Sequence, residues 1–96
     1  MKYIDFNDCS DMVDSAAYDP CRHRLFLRFI SGSSWAGDKD YYYDGVKPHA
    51  FRNIVEAFEN HRSVGRAIHA NVDLGDGVSF YSDHSKSLVT MAGTVH

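Results

Sequence analysis

Arg24-Leu25-Phe26-Leu27-Arg28-Phe29-Ile30 is the stretch on which the reading of this chain turns. Its residues alternate, and side chains in a strand point to opposite faces with a period of two. Leu25, Leu27 and Phe29 therefore share one face and belong to a core. Arg24, Phe26, Arg28 and Ile30 share the other, where charge is mixed with apolar bulk. Upstream, Met12 to Tyr18 forms a second strand candidate, closed by the turn opener Asp19-Pro20. Downstream, Ser31-Gly32-Ser33-Ser34-Trp35-Ala36-Gly37-Asp38 reads as a loop from its Gly and Ser content. Residues 39–44 then form a third strand, with Tyr41 and Tyr43 on one face and Tyr42 on the other. Three strands in succession with short connections predict an antiparallel meander.

The period changes after Gly45-Val46-Lys47-Pro48. Proline suits the first turn of a helix, where its missing N–H has no partner to lose. Phe51, Ile54, Val55 and Phe58 recur at helical spacing, and Arg52 and Glu56 stand four apart among the polar positions. A helix over 48–61 follows, its apolar stripe laid across the sheet. Val64, Ile68 and Val72 predict a further short helical turn. Beyond Asp73-Leu74-Gly75-Asp76-Gly77, residues 78–81 and 87–95 read as two strands of a hairpin. The expected architecture is α+β: a curled antiparallel sheet, made of a three-stranded meander plus a C-terminal hairpin, with one principal helix packed on it.

Ninety-six residues make one domain spanning 1–96, with enough chain for a single core. A hydrophobic content of 44% excludes a disordered tail. No apolar run approaches the roughly 20 residues that cross a bilayer, and no export signal opens the chain. A cytoplasmic protein with no membrane partner is expected. Cys9 and Cys21 lack CxxC spacing and read as reduced thiols. The net charge of −3 is segregated along the chain. Asp5, Asp8, Asp11, Asp14 and Asp19 crowd the first twenty residues against Lys2 alone, whereas Arg22, Arg24 and Arg28 follow with no acid until Asp38. Either the folded molecule has a positive face, or neighbouring strands pair their opposite charges.

Val13-Asp14-Ser15, Tyr18-Asp19-Pro20, Leu25-Phe26-Leu27-Arg28-Phe29 and the central Tyr41-x-Tyr43 resemble, in order and spacing, the KTSC domain. Gly45-Val46, Phe51, Ala57 and Ser63-x-Gly65, leading into Ile68 and Val72, continue the likeness. It covers residues 11–72 and leaves 73–96 as an added C-terminal segment. The chain departs from the pattern where Val-Pro becomes Val46-Lys47-Pro48, in a longer loop carrying Trp35, and in an insertion between Ala57 and Ser63. The family is named for its occurrence at the C-terminus of some lysyl-tRNA synthetases and includes stand-alone bacterial and phage proteins. The resemblance implies a small module for which RNA binding has been suggested. It brings no catalytic residue to carry over.

The residues themselves point to binding rather than to a reaction. Arg24 and Arg28 suit phosphate contacts, and Tyr41 and Tyr43 suit base stacking if they face solvent; the competing arrangement has both rings beneath the helix. Trp35, a large ring in a polar loop, is a second stacking candidate. Arg62 and Arg66, four apart, can share a helical face and hold a phosphate or carboxylate. No HExxH motif, Cys/His ligand spacing, EF-hand ladder or Gly-rich phosphate loop is present, so no metal and no cofactor are expected. No nucleophile–base arrangement can be assembled either. The expected function is a non-catalytic binding module for RNA, single-stranded nucleic acid or a nucleotide. The alternative is a protein-binding module, such as a phage-encoded inhibitor of a host defence protein, acting through its acidic surface. Exposed sheet edges predict a homodimer.

Overall fold

The computed structural model describes residues 1–7, 9–30 and 39–95. The deciding stretch is a strand, Arg24–Phe29 (β3), flanked by Val13–Asp19 (β2) and Lys39–Tyr43 (β4). Leu25 lies opposite Tyr43, Phe26 opposite Tyr42 and Leu27 opposite Tyr41, and all pairings are antiparallel. The predicted meander is therefore present. Two strands extend it: Lys2–Asp5 (β1) along β2 and Val78–Tyr81 (β5) along β4. The sheet order β1-β2-β3-β4-β5 follows the chain. Between β4 and β5 lie the helices Pro48–Glu59 (α1) and Val64–Asn71 (α2) and the 3-10 turn Leu74–Asp76.

Helix α1 starts at Pro48 as the missing N–H requires, and its Phe51 and Ile54 are buried. The Phe51 ring stacks on Tyr18 with centroids 4.8 Å apart and planes within 9°. The Tyr18 hydroxyl donates to the Val46 carbonyl, fixing the entry to the helix. Gly45, at φ +75°, makes the preceding turn in a left-handed conformation that glycine adopts at little steric cost. Helix α2 is a full element where a short turn was expected. Ser63 caps it by accepting the Arg66 N–H at 3.2 Å. Val64 and Ile68 face the same core as Leu25, Leu27, Phe29 and Tyr43.

The C-terminal hairpin is not formed. Strand β5 pairs with β4, and Leu88–Ala92 is a helix (α3). Ser87 caps α3 by accepting the Thr90 N–H at 3.2 Å. Leu88, Met91 and Ala92 are buried while Val89 and Thr90 are exposed, an i, i+3, i+4 pattern that a strand cannot provide. Leu88 and Ala92 pack on Ala17 and Phe26, with Tyr42 and Phe80 beside them. The sheet is thus covered on both faces, by α1 and α2 on one and α3 on the other. No helix among the described residues is long and apolar enough to cross a membrane.

Candidate nucleic-acid interface

The β3–β4 register decides the fate of the first two arginines. Continued by one residue at each end, it sets Arg24 opposite Asp44 and Arg28 opposite Asp40. Each arginine meets that partner. Arg24 Nε and Nη2 donate to Asp44 at 2.6 and 3.2 Å, and the guanidinium lies 4.2 Å from the centroid of Tyr42. The hydrogen bond to Asp44 raises the Arg24 pKa further, so its charge is permanent but committed. Arg28 is buried. Its Nε and Nη2 donate to Asp40 at 3.1 and 3.0 Å, and its remaining donors reach Ser82 Oγ and the Lys86 carbonyl. Ser82 Oγ donates to Asp40 in turn. Arg28 is built into the sheet face beneath the C-terminal segment, and Arg24 is held at the surface by Asp44. They do not join Tyr41 and Tyr43, which point to the α1/α2 side.

Tyr43 is 3% exposed and belongs to the main core. Tyr41 is half-buried and meets Phe29 edge-on, with centroids 5.4 Å apart. Neither forms an open stacking platform, in keeping with rings packed beneath the helices. Burial and, secondarily, the neighbouring Tyr41 push the Tyr43 pKa up to about 12, so its hydroxyl stays protonated and remains a donor. Trp35 lies outside the described residues. The opposite-charge blocks do pair between strands, but the partners of Arg24 and Arg28 come from β4 and the residue after it, not from the N-terminal aspartates. Of the acidic block, Asp19 meets Arg22 of the basic block at 3.9 Å.

Arg62 and Arg66 are differently placed. Both are exposed, and neither makes an ion pair among the described residues. They line one open groove of about 680 Å³ between α1 and α2, together with Asn53, Asn60 and Ser63. Glu56 lines it as well and contributes a negative charge. Asn53 donates to Asn71 across the groove at 3.0 Å, tying the two helices together. The extra residues between Ala57 and Ser63 make this geometry possible: His61 turns the chain at φ 56°, and the Arg62 N–H caps α1 through the Ala57 carbonyl at 2.8 Å.

One feature escaped the sequence altogether. Phe29, Tyr41, Tyr43, Leu74, Gly75 and His69 line a mostly apolar slot of about 400 Å³. Phe29, Tyr41 and Tyr43 follow from the period of the strands, but His69, Leu74 and Gly75 reach the slot only through the α2 packing angle and the turn after it. No local signal announces that meeting.

An open antiparallel sheet wound in chain order and covered by helices on both faces defines a small α+β domain. No family model and no curated protein sequence matches the chain. The crystal structure of a KTSC domain protein from Yersinia pestis is similar at TM-score 0.54 and 26% identity, over 77% of this chain and 89% of that one. The chain is a KTSC-like domain, as the likeness over residues 11–72 implies.

Proposed function

We propose that this domain is a non-catalytic binding module whose ligand carries phosphates, as RNA, single-stranded nucleic acid or a nucleotide does, and that Arg62 and Arg66 grip them. The observation that carries this reading is the contrast between two pairs of arginines. Arg24 and Arg28 are committed to Asp44 and Asp40, while Arg62 and Arg66 face one groove without a carboxylate in ion-pair range among the described residues. Guanidinium pairs with neutral amides and a hydroxyl around them suit phosphate oxygens. Glu56 tempers the field of the groove and argues for a modest, salt-sensitive affinity. The protein-binding alternative draws on Asp11 and Asp14, exposed and outside any ion pair among the described residues. A salt titration with a labelled oligouridylate separates the two. Single-strand binding through phosphates weakens with salt at a slope of about −0.7 per contact, and Arg62→Ala reduces that slope by about that amount. Failure to retain the oligonucleotide at low ionic strength would overturn the proposal and leave the acidic surface as the functional one.

A further inference from the structure

The slot beside α2 has the chemistry of a base pocket. Its walls are the rings of Phe29, Tyr41 and Tyr43 with the side chain of Leu74, and Gly75 and His69 form its rim. Ligand pockets pair such an apolar lining with a few polar groups that fix orientation. Here Tyr43 supplies one. Its ring is buried, whereas its hydroxyl keeps some contact with solvent and hydrogen-bonds to no described residue, so it is open to a ligand. A flat heteroaromatic ring with a hydrogen-bonding edge suits both the apolar walls and a hydroxyl at their margin. His69 adds a second polar group at the mouth.

Charge fixes the orientation of such a ligand. His69 and Arg66 are three apart on α2 and both exposed, so they are neighbours on one helix face, about 5–6 Å between Cβ atoms. Arg66 belongs to the cationic groove and His69 to the slot, so the two sites adjoin along a single helix. On the other flank Asp73 holds the turn by accepting the Gly75 N–H at 3.0 Å, and its carboxylate repels phosphate from that side. From this arrangement we infer that the Phe29/Tyr41/Tyr43/Leu74 slot receives a nucleobase of a single strand, whose adjoining phosphates lie toward Arg66 and Arg62. The inference rests on the phosphate-binding role proposed above and specifies it: the strand is recognised by a base as well as by its charge, and a duplex, whose bases are stacked away, is excluded.

The experiment compares an oligoadenylate with an abasic strand of the same length and charge, using labelled strands at low ionic strength. The abasic strand is expected to bind about tenfold more weakly, the scale of one lost base stack. Leu74→Ala should weaken the oligoadenylate and leave the abasic strand unchanged. In parallel, the ring resonances of Tyr43 and His69 in the unaltered protein should shift on adding oligoadenylate and stay in place with the abasic strand, a readout that does not depend on how any variant folds. Equal affinities, with both strands still sensitive to Arg66→Ala and the rings unmoved, would overturn the base slot and leave the phosphate groove standing. Binding of neither strand would remove both.

Discussion

Arg28 and Asp40 form a buried, doubly hydrogen-bonded ion pair across β3 and β4, at 3.1 and 3.0 Å, with the carboxylate wholly out of solvent. The pair also organises the segment after β5, because Arg28 donates to the Lys86 carbonyl at 2.6 Å and to Ser82 Oγ at 3.1 Å. Removing one partner leaves an uncompensated buried charge. Asp40→Ala and Arg28→Ala are each expected to cost about 3–5 kcal/mol, whereas replacing both by apolar residues of similar volume should recover most of the loss. Urea unfolding of the two single variants and the double variant measures this. Single variants within error of the parent would show that the pair contributes nothing.

Gly77 sets the position of the ring that backs the slot. A Cβ added there would lie 2.7 to 2.8 Å from the Tyr43 ring and hydroxyl, closer than atoms can approach. That ring belongs to the main core and borders the slot, so relief of the clash would push it toward the slot. Gly77→Ala is therefore expected to destabilise the domain by about 1–3 kcal/mol, as overpacking does. Thermal unfolding checks the loss, and Gly45→Ala separates the two causes. At Gly45 nothing lies within 4 Å, so any cost there comes from the backbone alone.

The same pairs show what the sequence could and could not reveal. The stretches RLFLR, Arg24 to Arg28, and DYYYD, Asp40 to Asp44, are complementary when run antiparallel. Arginine meets aspartate at both ends and Phe26 meets Tyr42 between them. That match was legible once the meander was assumed, and it would have withdrawn Arg24 and Arg28 from the phosphate contacts. Helix α1 was legible because Pro48 and a long apolar stripe agree. Helix α3 was not: Val89 and Thr90 are β-branched and favour a strand locally, and the Ser87 cap with packing on Ala17 and Phe26 reverses that preference. Strand β1 was missed because it is an edge strand of mostly exposed residues, Lys2, Tyr3 and Asp5, with no core face to give it a period. The groove and the slot depend on how α2 lies against the sheet, which no local pattern encodes.

The two classes of arginine should separate in a binding assay. Arg24→Ala removes a surface ion pair and a ring contact and is expected to leave oligonucleotide affinity within twofold. Arg62→Ala and Arg66→Ala are expected to weaken it about tenfold each at low salt, by losing charge-assisted contacts, without lowering the melting temperature measurably. Anisotropy titrations beside thermal unfolding give both quantities. A loss of affinity on Arg24→Ala matching that of Arg66→Ala would move the interface to the β3–β4 face.

Alkaline titration tests the burial of Tyr43 directly. Its pKa is raised from 10.0 to about 12 in the folded domain, chiefly because burial disfavours the tyrosinate. Below pH 10 the phenol keeps its proton whether the chain is folded or not, and its contribution to stability is intact. Between pH 10 and about 12 the unfolded chain ionises first, so it gains free energy that the folded domain cannot, and stability falls as pH rises. Unfolding midpoints should therefore drop across that window, and Tyr43→Phe, which has no proton to lose, should flatten part of the drop. Tyrosinate absorbance should show two phenols, Tyr18 and Tyr43, ionising late, since burial raises the pKa of both. A midpoint profile identical for Tyr43→Phe and the parent would mean that burial of the ring does not hold the Tyr43 proton.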